Sequence, residues 1–244
     1  MAGIVERSVM RSFPIPVILL TTMALSAGPA SAADRTVGIG SFERLRVDGP
    51  FEVTVTTGSP SVRIAGDVDA IEAVDAHLDG ATLTIRRRSG LVGQGQRRSI
   101  APIRLTLSTP ALASAQSVAG ARLTIARLRG PKIALAVSGS GAIEATAVDG
   151  AEVSAVLAGT GRIALAGRAG KARLTRNGEG TLDASALDAG ELLVVADGIG
   201  DLTARARYTA QVSNAGTGQV TILGTPRCVI RAVDGGPVAC GKQR

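Results

Sequence analysis

A Gly-x-Gly triplet recurs five times at near-constant spacing: Gly139-Ser140-Gly141, Gly159-Thr160-Gly161, Gly178-Glu179-Gly180, Gly198-Ile199-Gly200 and Gly216-Thr217-Gly218, with starts 20, 19, 20 and 18 residues apart. Self-similarity at a fixed period in this range marks a solenoid, whose coils bury their apolar face only by stacking on neighbours. The expected fold is therefore all-β: a single-stranded parallel β-helix, or β-solenoid, with coils of about 18–20 residues. Parallel crossovers are overwhelmingly right-handed, so right-handed winding is expected.

Aligning the copies on the triplet exposes inward columns. The residue two beyond the second glycine is always aliphatic, namely Leu123, Ile143, Ile163, Leu182, Leu202 and Val220, the first belonging to a degenerate copy at Ala119-Gly120-Ala121. Two residues on, Ile125, Ala145, Leu165, Ala184, Ala204 and Ile222 share that strand face. A third column is expected at Ile133, Val153, Leu174, Leu192, Val212 and Ile230, giving two strands per coil. The triplet glycines supply positive φ or close backbone approach at corners. A phosphate-cradling loop would need a third glycine or a Lys-Ser/Thr pair, and a calcium nonapeptide repeat would need aspartate at a fixed offset; the triplets carry neither.

Composition agrees with thin coils. The chain holds three Phe, one Tyr and no Trp, whereas a rounded core leans on aromatics for buried area. Residues 1–32 read as a secretory signal peptide: Arg7 and Arg11, an apolar run from Ile15 to Leu25, then Ala30-Ser31-Ala32. No later stretch is apolar enough to span a membrane. The net charge of +7 falls to +6 without Glu6, Arg7 and Arg11. Cys228 and Cys240 in an exported chain predict a disulfide closing a short loop at the carboxyl end. Metal binding is the poorer reading of these cysteines, because the single histidine, His77, is remote.

The segment before the repeats differs. Phe42–Val47, Phe51–Thr56, Ser61–Ala65, Ala81–Arg86 and Ile103–Leu107 alternate with period two and are expected as strands. Ile71, Val74 and Leu78 suggest a short helix over Asp69–Leu78. Arg86, Arg87, Arg88, Arg97 and Arg98 flank a polar glycine-rich link and form the candidate anion-binding loop. Nucleic acid is not expected as a partner, since stacking aromatics and any reading element are missing there. The chain divides into residues 1–32 as signal peptide, 33–110 as an amino-terminal β segment with capping strands, and 111–244 as repeats with a cysteine-closed cap.

In order, Phe42-Glu43-Arg44-Leu45-Arg46-Val47-Asp48-Gly49-Pro50-Phe51-Glu52-Val53, Leu83-Thr84-Ile85, Pro102 to Leu112 and Ser138-Gly139-Ser140-Gly141 resemble the putative auto-transporter adhesin, head GIN domain family. The resemblance covers roughly residues 41 to 224. It implies an exported bacterial protein with a parallel β-helix-like fold and no catalytic residues to carry over. Arg176-Asn177-Gly178 and Ala196-Asp197-Gly198 depart from the Ser-Gly usual in that family, as does the Cys228/Cys240 tail.

Function is expected to be binding rather than catalysis, with no cofactor, no metal and no catalytic residue. The expected module sits in the periplasm, on the cell surface or outside the cell, and meets an anionic glycan, an envelope component or a protein partner. Coils this short leave no room for an active-site wall. The alternative is a polysaccharide lyase or hydrolase, for which Glu144, Glu179, Asp183 and Asp201 are candidate carboxylates, scattered over different columns. Self-association into a homo-oligomer through uncapped end coils is a third expectation.

Overall fold

The computed structural model describes residues 33–66, 71–88, 103–231 and 235–241. In chain order the strands are β1 (Ala33–Val37), β2 (Arg44–Asp48), β3 (Phe51–Thr57), β4 (Ser61–Gly66), β5 (Val74–Asp79), β6 (Thr82–Arg87), β7 (Ile103–Thr109), β8 (Ser114–Val118), β9 (Arg122–Ile125), β10 (Leu128–Ser138), β11 (Ala142–Ala158), β12 (Arg162–Asn177), β13 (Thr181–Asp197), β14 (Leu202–Asn214), β15 (Val220–Gly224), β16 (Arg227–Arg231) and β17 (Val238–Cys240). The signal-peptide reading and Arg97 and Arg98 lie outside the described residues.

From β8 and β9 onward each strand stacks parallel on its copy in the next coil, which makes the molecule a β-solenoid. On the first face, after each triplet, Leu123, Ile143, Ile163, Leu182, Leu202 and Val220 pair in register and are all buried. The column of Ile125, Ala145, Leu165, Ala184, Ala204 and Ile222 is buried likewise. Instead of two separate strands per coil, β11, β12 and β13 run on through the bend, since Asp149, Gly150 and their counterparts keep pairing there.

The third column is corrected by two residues. Ile133 and Val153 stack with Ala172, Leu192, Ala210 and Cys228, whereas Leu174, Val212 and Ile230 belong with Leu135, Ala155 and Val194. Both columns face inward, and a slip of two leaves every side chain on its own face, so apolar pattern alone cannot separate them. One position further, Val137 and Leu157 lead to Arg176, Ala196 and Asn214.

The triplet glycines divide the work. The first glycine of four triplets has positive φ, from 91° at Gly139 to 117° at Gly159. The second is needed for close approach: a Cβ on Gly161, Gly180, Gly200 or Gly218 would collide with the carbonyl oxygen of the glycine beneath it. Stacked corners thus touch backbone to backbone.

The amino-terminal coils are interleaved rather than wound in chain order. Strand β2 lies between β6 and β8, and β3 between β7 and β9, all parallel. Beyond them β5 runs antiparallel to β6, β4 antiparallel to β7 and β1 antiparallel to β4. The helix expected over Asp69–Leu78 is not formed. A single helical turn at Ile71 and Glu72 leads into β5, whose Val74, Ala76 and Leu78 alternate inward while His77 is exposed. The four-residue step from Val74 to Leu78 fits period two as well as a helix, and pairing with β6 decides for the strand.

At the other end Cys228 and Cys240 form a disulfide with Cα atoms 6.5 Å apart. Cys228 continues the column of Ala210 and Cys240 that of Ile222, so the bridge ties the two faces of the last coil where core side chains would otherwise meet. In a stack held only by neighbours, loss of that tie acts locally. Reduction is expected to open β16 and β17 to amide exchange while β11–β13 stay protected; equal loosening throughout would mean that the bridge stabilises the whole stack.

Candidate functional site

The candidate anion-binding loop is partly spent on structure. Arg86 Nε donates to Asp75 Oδ2 at 2.9 Å across the β5–β6 pair, Arg87 is half-buried and Arg88 is exposed. The candidate carboxylates are not all on different columns, contrary to the sequence expectation. Glu144, Ala164 and Asp183 occupy successive coils of one outward column and line a shallow depression of about 120 Å³. The hydrogen bond from Ser185 holds the Asp183 carboxyl below the usual carboxylate range, with Arg162 adding to the effect. Asp183 is therefore ionised at neutral pH and unsuited to act as a general acid. Asp201 accepts a hydrogen bond from the Gln219 backbone N–H at 3.3 Å, and Glu179 is exposed at a triplet corner. Among the described residues no group of three or more His, Cys, Asp or Glu could hold a metal ion.

A more ordered feature lies on the bend between the two faces. Outward residues there alternate in sign from coil to coil: Arg129 and Lys132, Asp149 and Glu152, Arg168 and Lys171, Asp188 and Glu191, then Arg205 and Arg207. Each coil is uniform and each neighbour opposite. Arg168 donates to both oxygens of Asp149 at 3.0 and 3.3 Å, and Arg129 approaches the same carboxylate at 3.4 Å. Lys171 pairs with Glu191 at 3.1 Å, Lys132 with Glu152 at 4.0 Å and Arg207 with Asp188 at 3.4 Å. Individually such exposed pairs contribute little. Together they penalise stacking a coil on the wrong neighbour, because skipping one coil sets like charge on like.

The Arg168 hydrogen bond lowers the Asp149 carboxyl from its ordinary value, and Asp149 raises Arg168 in return. A carboxylate with a depressed folded pKa adds stability above its unfolded value and loses it as pH falls through the folded one. Arg168→Ala is expected to move Asp149 up toward the ordinary carboxylate range and to flatten this part of the acid dependence. An unchanged titration of Asp149 by carboxyl NMR would sink that account.

Two grooves follow the ladders along the solenoid. Glu152, Lys171 and Glu191 form the ridge between them, and Lys132 extends it along the first. One groove, of about 570 Å³, lies between this ridge and Ala134, Ser154, Arg173 and Leu193. The other, of about 390 Å³, passes over Ala151 and Gly170 and ends at Arg207 and Tyr208. Tyr208 is placed by a bulge: Arg207 and Tyr208 together oppose Gly190, between the pairs Ala189↔Ala206 and Glu191↔Thr209. The Cδ2 edge of its ring lies beside Gly190, the residue is 64% exposed, and the Arg207 guanidinium sits over the ring 5.3 Å from its centroid. Sequence reasoning missed this surface. The sign alternation was readable, but only after the coils had been aligned through the bend.

The family model described as "Putative auto-transporter adhesin, head GIN domain" matches residues 41–226. The chain belongs to that family. A putative adhesin from Bacteroides fragilis has a similar structure, at TM-score 0.77 and 16% identity over 87% of this chain and 97% of that one. A putative adhesin from Parabacteroides distasonis is similar at TM-score 0.66 and 16% identity, covering 88% and 98% of the two chains. A structure described as a putative lipid binding protein from the same species gives the same TM-score, identity and coverage. At these identities the likeness concerns the fold. No curated protein matches the chain. No helix among the described residues is long and apolar enough to cross a membrane.

Proposed function

We propose that this member of the GIN-domain family is an exported, non-enzymatic binding module of the bacterial envelope that presents its parallel sheet surfaces to a glycan or protein partner. The observation that carries the reading is the continuous wrapping of β10–β14: coil follows coil in parallel pairing, broken only by short register shifts at the bend, with no inserted loop to build a catalytic wall. The described surface of these coils carries two open grooves with their charge ladders. Repeat solenoids bind through such extended faces. The Cys228–Cys240 bridge supports an oxidising compartment, as in the periplasm or outside the cell.

A polysaccharide-active enzyme is the second reading, favoured by Glu144 and Asp183 sharing a column two coils apart. Two inter-strand spacings set their backbones about 9.5 Å apart, near the upper end for an inverting carboxylate pair. Against it stands the shallowness of the depression between them, which walls off no site from water. Immobilised protein presented with envelope and host polysaccharides separates the readings when both retention and polymer length are recorded. Retention at constant length is expected, and shortening abolished by Asp183→Asn would overturn the binding reading.

A further inference from the structure

We infer that the groove ending at Tyr208 is a subsite for an uncharged glycan chain lying along the solenoid axis. The inference rests on the reading of the protein as a binding module and names its site and ligand chemistry.

The shape asks for a thin, linear ligand. Ala151 and Gly170 form a floor without long side chains, Glu152, Lys171 and Glu191 rise on one side, and Arg207 and Tyr208 close the far end. Four successive coils contribute, so the groove spans three inter-strand steps, about 14 Å. A second copy of this chain related by a two-fold axis would bring groove against groove and leave it unfilled. An extended peptide would find no strand edge, since β11, β12 and β13 each have neighbours on both sides, and its own backbone groups would go unpaired.

The charge pattern selects among linear polymers. A polyanion placed here would meet Glu152 and Glu191 as well as Lys171, so every favourable contact comes with a repulsive one. A hydroxyl has no such conflict because it donates to a carboxylate and accepts from an ammonium. Alternating Glu and Lys therefore offer acceptor and donor in turn to successive sugar hydroxyls, with like groups recurring at about 9.5 Å, the scale of an extended disaccharide.

Tyr208 supplies the apolar part. It is the single tyrosine in a chain without tryptophan, and the bulge at Gly190 turns it outward at the end of the groove rather than into a column. Arg207 over one face of the ring fixes its plane, and the opposite face is the one offered to the C–H face of a sugar ring.

The same residue gives the test its readout, because intrinsic tyrosine emission reports on this groove alone. The exported protein is titrated with oligosaccharides of mannan, galactomannan and mixed-linkage β-glucan, with hyaluronan and alginate oligosaccharides as anionic counterparts. A saturable change in Tyr208 emission is expected with at least one uncharged glycan and at least tenfold weaker binding with either anionic one. Ala151→Leu, which raises the floor while leaving the ladders and Tyr208 in place, should weaken binding at least tenfold. Glu191→Lys should do the same, and Glu191→Gln, which keeps an acceptor, should bind as the unaltered protein does. Thermal unfolding of each variant shows that the solenoid is intact.

Silence with all the uncharged glycans, equal or tighter binding of an anionic one, or indifference to Ala151→Leu would overturn the proposal. Retention of a polysaccharide or a purified envelope protein with Tyr208 unaffected would remove this site and leave the binding-module reading standing. Depolymerisation of a retained polysaccharide would instead overturn that underlying reading.

Discussion

Gly180→Ala is expected to destabilise the solenoid by about 3 kcal/mol or more, at or beyond the upper end of the usual cost of over-packing a close-packed site. The position is not in the left-handed region, so the cost is one of space alone. An added Cβ would collide with the Gly161 carbonyl oxygen, sit 2.8 Å from Leu157 Cδ2 and 3.1 Å from the Gly159 carbonyl oxygen. The two carbonyls are backbone of the adjacent coil, held there by hydrogen bonds from Gly180 and Thr181. Relief would mean parting two coils whose inward columns are packed on each other. Gly80→Ala is the matched control. At φ 54° with no atom within 4 Å of the added Cβ, it carries only the backbone penalty of a left-handed alanine, about 1–2 kcal/mol. Urea unfolding of the two variants side by side decides, and Gly180→Ala no worse than Gly80→Ala would show that the corners do not need close contact.

How much of this was readable follows from distance to the triplet. The two columns of the first face begin two residues after a glycine pair, and sequence alignment placed each of them correctly. Beyond the bend the alignment failed, because register shifts such as those between Ala145 and Val148, Ala164 and Ala166, and Ala189 and Glu191 spend different numbers of residues on the same corner. Period two then conceals the error, as with Leu174 set beside Val153 instead of Ala155. Glu144 and Asp183 each lie three residues beyond the second glycine of a triplet, so their shared column was legible before the bend, whereas the Tyr208 bulge lies beyond it and was not. Interleaving of β2 and β3 between later strands was illegible for another reason: it depends on pairings 38 to 70 residues apart, such as Arg44 with Thr82 and Arg46 with Gln116, which no local pattern announces. The family resemblance was readable because it rests on the order of motifs, which survives small changes in coil length.

Arg176→Leu is expected to stabilise the protein, by up to about 4 kcal/mol, the upper end of the range seen when a buried ion pair gives way to apolar residues of similar volume. Arg176 is fully buried in the column of Val137, Leu157 and Ala196, where a hydrocarbon side chain would continue the stack. Its Nη1 donates to the Gly178 carbonyl at 2.9 Å, but Nε and Nη2 have no partner among the described residues. Burial lowers its pKa, while the charges of Asp201 and Asp197 act the other way. That direction means the fold resists the charged form, so the guanidinium costs stability at every pH at which it stays protonated. Arg176→Lys sharpens the argument through its sign. A lysine there would also have a folded pKa below its unfolded value of about 10.4, so its penalty would be full below the folded value and vanish above about pH 10.4. Stability of Arg176→Lys should therefore climb with alkali while that of Arg176→Leu stays level across the same window. A loss of stability in Arg176→Leu would overturn this view and assign the guanidinium a stabilising role inside the coil, through the Gly178 corner that it bridges.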